Sequence, residues 1–518
     1  MAKSAARPAK GRMTESESRA GKTMNKAAMT PRQGKEGDPP PEAGTQQDLP
    51  TKEGKDEYAV IRMYAAREQI YPREIQGRFA SLRWLCVFLT QLVFYGLPWI
   101  NWNERQAVLF DLASRKFYLF GLVLWPQDFI WLAALLIICA FSLFLFTAIA
   151  GRVWCGYACP QTVYTEIFLW IERRIEGNRS ARMRLDRQPW SFDKLWRKSA
   201  KHLAWGGLAL WTGISFVGYF SPIRELLPEI GQFALGPWES FWIVFYAFAT
   251  YGNAGWMREQ VCKYMCPYAR FQSAMFDRDS LVITYDNARG EPRMPAAKAA
   301  KLQEGRKAGD CIDCTMCVQV CPTGVDIRQG LQYMCIGCAA CVDACDSVMD
   351  KIERPRGLIR YSTENAIEQG FSTPEIRRRL FRPRILIYTA ILGAVIALFL
   401  GSLVVRTPLK LDVIRDRGSM GREVEDGIIE NVYRLQVINT DERGHRYRIS
   451  ASGIEGLTVD PAGPIELAAT QTLMVPVRVR APHGAGESGS NKIHIELQAE
   501  DQPALHVSEK AVFLVPRR

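Results

Sequence analysis

Residues 311–345 read CIDCTMCVQVCPTGVDIRQGLQYMCIGCAACVDAC. Eight of the chain's fourteen cysteines fall here, as Cys311, Cys314, Cys317 and Cys321, then Cys335, Cys338, Cys341 and Cys345. Each quartet spells C-x2-C-x2-C-x3-C, and the first ends in Cys321-Pro322. Three thiolates two residues apart sit on one tight loop and grip three irons of one cube. The fourth, farther along and turned away by the proline, reaches the neighbouring cube. The expected ligand sets are Cys311, Cys314, Cys317 and Cys345 for one cluster, and Cys335, Cys338, Cys341 and Cys321 for the other. The second quartet ends in Cys345-Asp346 and lacks the matching proline. Gly324 and Gly337 suit close backbone approach to such groups. Zinc sites take four ligands in two pairs, not two three-cysteine ladders. Disulfides do not persist in reducing cytosol, where the charge pattern below places this segment. The stretch therefore predicts two [4Fe–4S] clusters.

Four more cysteines form a rarer pattern. Trp154-Cys155-Gly156-Tyr157-Ala158-Cys159-Pro160 is echoed by Val261-Cys262-Lys263-Tyr264-Met265-Cys266-Pro267, an internal repeat at an offset of 107 residues. On one helix, residues i and i+4 share a face about 5–6 Å apart, so both sulfurs of a motif could address one ion. Proline suits the first turn of a following helix. A cysteine there feels that helix's positive end, which favours the thiolate. Soft thiolates stabilise Cu(I) over Cu(II), so such a site is suited to reducing copper. The competing reading is that these cysteines merely pack helix ends; two matched copies, each with its proline, argue against it. Cys86 and Cys139 lie alone in apolar blocks and read as packing residues.

Those blocks run over Leu82–Ile100, Phe129–Ala150, Leu203–Phe220, Trp238–Trp256 and Ile385–Val405. Each is long enough for a helix to cross ~30 Å of hydrocarbon. The third carries Gly206, Gly207 and Gly213, and the fourth includes Glu239 and Asn253 near its ends, so a buried or re-entrant helix competes there. Tryptophans such as Trp99, Trp131, Trp238 and Trp256 cluster near block ends, as interfacial anchors do. Basic residues crowd the approach to block one (Arg73, Arg78, Arg83), the 151–201 connection (Arg173 to Lys201) and the approach to block five (Arg377 to Arg384). The connection between blocks three and four holds only Arg224. The positive-inside bias then places the N-terminus, the 151–201 loop and the 257–384 segment in the cytosol, and five crossings put the C-terminal region outside.

At 518 residues the chain has room for about three domains. Its 48% hydrophobic and 23% charged residues sit near soluble averages, but the clumping of the apolar ones excludes a purely soluble protein. The net charge of +12 flanks membrane segments without any DNA-binding motif, so no nucleic-acid partner is expected. Residues 1–57 lack apolar periodicity and read as a disordered cytosolic N-terminus without a signal-peptide core. Membrane helices one to four with both C-x3-C-P motifs fill 58–270. A cytosolic two-[4Fe–4S] ferredoxin-like domain with its linkers fills 271–384, and helix five follows over 385–405. Over 406–518, short strand-like runs (Val432–Ile438, Arg446–Ile449, Leu473–Val479, Ile493–Leu497, Ala511–Val515) separated by turns predict a cysteine-free β-sandwich. Of five histidines, only His202 lies near a membrane block, at a basic helix end. No heme pair, C-x-x-C-H motif or nucleotide loop occurs.

The assembly resembles the bacterial cytochrome c oxidase accessory proteins of the CcoG/FixG/RdxA type, from about residue 58 to the end. The paired C-x3-C-P motifs alone also resemble those of membrane quinol-dehydrogenase subunits. The resemblance implies a multidomain membrane protein: a five-helix transmembrane bundle, an inserted bacterial-type two-cluster ferredoxin domain and a C-terminal immunoglobulin-like sandwich. It implies an inner-membrane cupric reductase supplying Cu(I) for cbb-type oxidase assembly. Cys155, Cys159, Cys262 and Cys266 then take the catalytic, copper-binding place, with copper as substrate or transient ion. A cytosolic electron donor and a copper chaperone or oxidase assembly factors are the expected partners. Two other functions fit the same residues. One is a quinol-oxidising relay whose paired cysteines shape a quinone pocket. The other is an assembly scaffold whose clusters sense redox state.

Overall fold

The structure, a computed structural model, describes residues 69–295, 308–416, 421–424 and 427–516; the segment expected to be disordered over 1–57 lies outside them. Among the described residues, three helices are long and apolar enough to cross a membrane: Arg78–Trp99, Pro126–Ala150 and Pro383–Val404. Their large apolar side chains point away from the protein; Phe88, Leu92, Phe129, Ile130 and Leu398 are all exposed. A hydrocarbon surround satisfies such faces, which water does not.

The third and fourth apolar blocks fold differently from plain spans. Leu203 and its successors belong to a longer helix, Phe192–Val217, whose first half carries Asp193, Lys194, Arg197, Lys198 and Lys201. The fourth block is the helix Pro237–Thr250, which passes into a π-helical turn at Tyr251–Met257. The two helices cross closely at Gly213, where a Cβ would stand 2.4 Å from the Ile243 carbonyl oxygen.

The second span and Pro383–Val404 pack side by side. Trp131 donates to Ser402 Oγ at one end (2.9 Å), while Arg382 donates to the Ala148 carbonyl at the other (2.8 Å). The two globular lobes sit at opposite ends of this pair. At the start of the second span, Asp128 receives Arg406 and Lys410 of the C-terminal domain. At its finish, Leu281 N–H bonds to the Ile149 carbonyl (2.9 Å), seating the cysteine-rich lobe. The helix between them, Phe129–Ala150, has 22 residues. With a rise of about 1.5 Å per residue it holds the lobes about 33 Å apart.

The cysteine-rich lobe is small. Val282–Tyr285 pairs antiparallel with Ile359–Ser362, and the helix Ala340–Lys351 packs on that ribbon. Ile283, Val342, Met349 and Ile359 share the core with Cys311, Cys317 and Cys345. The first span docks on it through Asp343, whose carboxylate accepts from the N–H groups of Phe79 (3.2 Å) and Ala80 (2.7 Å). A side chain from the lobe thus caps a membrane helix, satisfying donors that the helix cannot.

The C-terminal domain is a two-sheet sandwich. One sheet orders Thr458–Asp460, Thr472–Ala481, Ile429–Asn439 and Leu409–Arg415, with Arg422–Glu423 also on Ile429–Asn439. The other orders Ile465–Leu467, His445–Ser452, Gly489–Ala499 and His506–Val515. All five expected strand runs fall inside these longer strands. The inner faces alternate as a half-buried strand requires. Tyr433, Leu435, Val437, Ile493, Ile495 and Leu497 are fully buried. Pro476 sits opposite Arg434, past the short stretch where Thr458–Asp460 pairs. Its missing N–H therefore falls on an open edge.

Candidate functional site

The two C-x3-C-P motifs share more backbone than their sequences advertise. Each is preceded by a left-handed residue of the same shape: Gly151 at φ 54°, ψ −117°, and Arg258 at φ 43°, ψ −112°. An arginine rarely adopts this conformation, and here its side chain is pinned. Its guanidinium meets Glu172 at 2.5 Å, and its Nε bonds the Gly255 carbonyl at 2.9 Å. The first cysteine of each motif then lies in a short helical turn, Cys155 in Val153–Tyr157 and Cys262 in the π-turn Val261–Met265. The second cysteine caps the next helix: Cys159 that of Pro160–Glu176, Cys266 that of Pro267–Met275.

This corrects the expectation that each pair lies along one helix face. The residue before a proline is driven out of the helical region. Cys159 (ψ 128°) and Cys266 (ψ 111°) are accordingly extended, and the chain turns between the two sulfurs of each motif.

All four thiols gather on the lobe-facing side of the membrane helices. Cys155 and Cys262 pack against the same apolar patch as Ile336, Cys338, Ala340 and Cys341. Cys155, Cys159 and Cys262 each feel the charge of a cysteine from the other motif. Cys155 Sγ also donates to Gln272 Oε1, at 3.6 Å. Burial pushes Cys155 up to about 12 and Cys262 up to about 11. Burial raises Cys159 as well, although the Gln161 and Thr162 N–H groups pull the other way. The helix end was expected to favour the thiolate; desolvation outweighs it for these partly buried sulfurs. Among the described residues, no three His, Cys, Asp or Glu side chains converge on a single-ion point.

The eight ladder cysteines line two cavities. One is walled by Cys321, Cys335, Cys338 and Cys341 together with Val325 and Ile336. The other is walled by Cys311, Cys314, Cys317 and Cys345 together with Tyr285 and Met349. Cys317 also borders the first cavity. In each ladder the residues flanking the middle cysteine are left-handed: Asp313 and Thr315 around Cys314, Gly337 and Ala339 around Cys338. Such reversals turn backbone N–H groups inward and make a concavity for a negatively charged group. Val325 N–H reaches Cys321 Sγ at 3.3 Å. Burial pushes Cys317, Cys335 and Cys345 up to about 12. Ionising them therefore calls for the charge of a metal group. Four thiols, apolar walls and inward N–H groups fit a [4Fe–4S] cluster in each cavity.

The two sets of cysteines meet backbone to backbone. A Cβ on Gly156 would stand 2.9 Å from Cys338 N and Cα and from the Ile336 carbonyl oxygen. A Cβ on Gly337 would stand 3.2 Å from the Arg152 carbonyl. Each motif therefore offers a glycine to the other's main chain. Gly156 and Gly337 were visible in the sequence, but the main chains they meet were not. Arg83, Arg152 and Gln272, all buried here, carried no motif to mark them.

Family models agree with this division. One described as a 4Fe-4S dicluster domain matches residues 257–364, and one described as a 4Fe-4S binding domain matches 132–178, which contains the first C-x3-C-P motif. A third, described as the Ig-like fold at the C-terminus of FixG, matches 399–516. Protein RdxA of Cereibacter sphaeroides is 39% identical over 451 residues, covering 85% of this chain and 95% of its own. Protein RdxB of the same organism is 39% identical over 454 residues, with the same coverage. The nitrogen fixation protein FixG of Rhizobium meliloti is 39% identical over 432 residues, covering 77% of this chain and 82% of its own. Identity of this extent, running through the membrane helices, the twin-cluster lobe and the sandwich, makes the chain a membrane iron–sulfur protein of the FixG/RdxA family.

Proposed function

We propose that the protein is a cupric reductase of the bacterial inner membrane, delivering Cu(I) for cbb-type oxidase assembly. In this reading the helices Phe192–Val217 and Pro237–Thr250 complete a five-crossing bundle. The N-terminus and the cysteine-rich lobe face the cytosol, and the Ig-like sandwich faces the periplasm. Cys311, Cys314, Cys317 and Cys345 hold one cluster, and Cys321, Cys335, Cys338 and Cys341 the other. Bound there, the clusters supply one-electron storage and transfer, fed by a cytosolic donor.

Cys155, Cys159, Cys262 and Cys266 take Cu(II) as substrate. The raised thiol pKa of Cys155, Cys159 and Cys262 means that copper must displace protons to bind there, and the sulfurs then favour the softer Cu(I) that one electron produces. The observation that carries the reading is the seating of Gly156 on the Cys338 backbone, which leaves no layer of protein between the copper motif and a cluster ligand. The test is the quadruple variant Cys155→Ala, Cys159→Ala, Cys262→Ala, Cys266→Ala, purified with its clusters. Cu(I) formation is followed with a Cu(I)-specific chelator, and the clusters by paramagnetic resonance. The expected result is loss of copper reduction with both cluster signals retained. Unchanged reduction with intact clusters overturns the assignment.

A further inference from the structure

Arg83 belongs to the first membrane span, yet it is only 8% exposed. Its guanidinium meets Glu166 at 3.5 Å, and its positive charge acts on Cys338. Together with Glu166, Cys262 and Ile336 it walls a cavity between the membrane helices and the lobe. Its Nε has no partner among the described residues, so no further bond there competes for the group. Glu166 is shared with Arg173 at 3.3 Å, so the Arg83–Glu166–Arg173 triad keeps one net positive charge. Arg152, also buried, adds a second cation whose field reaches Cys335.

The other ligand set sees the opposite balance. Arg328 lines its cavity, but Asp326 (2.7 Å) and Asp313 both bind that arginine, leaving one net negative charge. Asp346 acts on Cys345. Hydrogen bonds to ligand sulfurs and nearby charge are the protein's means of setting a cluster's potential.

We infer that Arg83 is a tuning residue that raises the reduction potential of the cluster held by Cys321, Cys335, Cys338 and Cys341 above that of its neighbour. Reduction adds one electron and one negative charge, with no bond made or broken. A buried cation close to a ligand sulfur stabilises that added charge strongly in a dry surround. The electron then rests at the end of the lobe that touches the membrane motifs. The inference rests on the ligand sets proposed above.

The experiment is a dithionite titration of the full-length protein, monitored by paramagnetic resonance. Cys314→Ser and Cys338→Ser assign the two cluster signals; if both perturb the same signal, the ligand sets themselves fail. Arg83→Gln is expected to make the Cys338-side cluster at least tenfold harder to reduce, about 59 mV for a one-electron couple, while the other midpoint stays put. Arg83→Lys, which keeps the charge but not the fork, should recover part of that shift. Glu166→Gln, which frees Arg83 from its counter-ion, should move the same midpoint upward. Midpoints that do not move, that move together, or that fall with Glu166→Gln overturn the inference.

Discussion

A single hydrogen-for-methyl exchange tests how tightly the first C-x3-C-P motif is keyed to the lobe. Gly156→Ala would drive a Cβ into the Cys338 backbone, which cannot swing aside as a long side chain can. Overpacking of this kind costs about 1–3 kcal/mol. Gly206, with nothing within 4 Å of its would-be Cβ, is the control. Gly206→Ala should be neutral or stabilising by up to about 1 kcal/mol. Thermal loss of cluster absorbance measures both, and equal melting of the two variants would show the seating to be loose. At this scale the sequence was readable where chemistry demands a residue type. The ladder cysteines announced two groups of four because no other pattern places three thiols on so short a loop. Arg258 was unreadable, because nothing in its neighbours reveals that it takes the left-handed turn filled by Gly151 in the first repeat. The acidity of Cys159 was misjudged for another reason: a helix end is visible in sequence, whereas burial is a property of the folded whole.

Helices were legible to within a few residues wherever lipid-facing composition is uniform, as in Phe129–Ala150. The third block was misjudged in extent because its helix begins eleven residues earlier, at Phe192 rather than Leu203, in a charged amphipathic stretch that a hydropathy reading passes over. The first span illustrates a cap that no local pattern could announce. Its own preceding residue, Gly77, makes no side-chain cap bond, and Asp343 comes from 263 residues away to bind Ala80. Losing a capping carboxylate costs about 0.5–2 kcal/mol. Asp343→Ala should therefore lower the stability of the junction between span and lobe by that amount, and Asp343→Asn by less. Hydrogen exchange at the Phe79 and Ala80 amides reports it directly. Protection unchanged in Asp343→Ala would mean that water or another group caps the span equally well.

Across the whole molecule, the distribution of basic and apolar residues said nothing of the contacts between domains. The sandwich touches the loop between the first two spans through Glu442, which accepts from Arg105 Nη2 (2.6 Å), Asn103 Nδ2 (2.9 Å) and Trp102 Nε1 (3.3 Å). These partners lie far apart in sequence, and no periodicity links them. Three bonds to one partly exposed carboxylate amount to about 1–2 kcal/mol. Glu442→Ala should raise hydrogen exchange across 101–106 by roughly 5–30-fold, and added salt should mimic part of that rise. An unaltered exchange pattern would make the contact incidental.

The lobe is tied to the helices at both chain ends, following Cys266-Pro267 and leading into Pro383, with Gly156 and Gly337 each seated on the other side's main chain. A shuttle protein must find its acceptor by diffusion, and its delivery slows as it is thinned out. In the proposed reduction, delivery from lobe to motif is internal, so turnover per molecule with an excess of donor should be indifferent to how far the protein is diluted. The same interlock forbids borrowing: a foreign lobe grafted between these helices would work only if it brought a glycine to meet Arg152 and a main chain flat enough to accept Gly156.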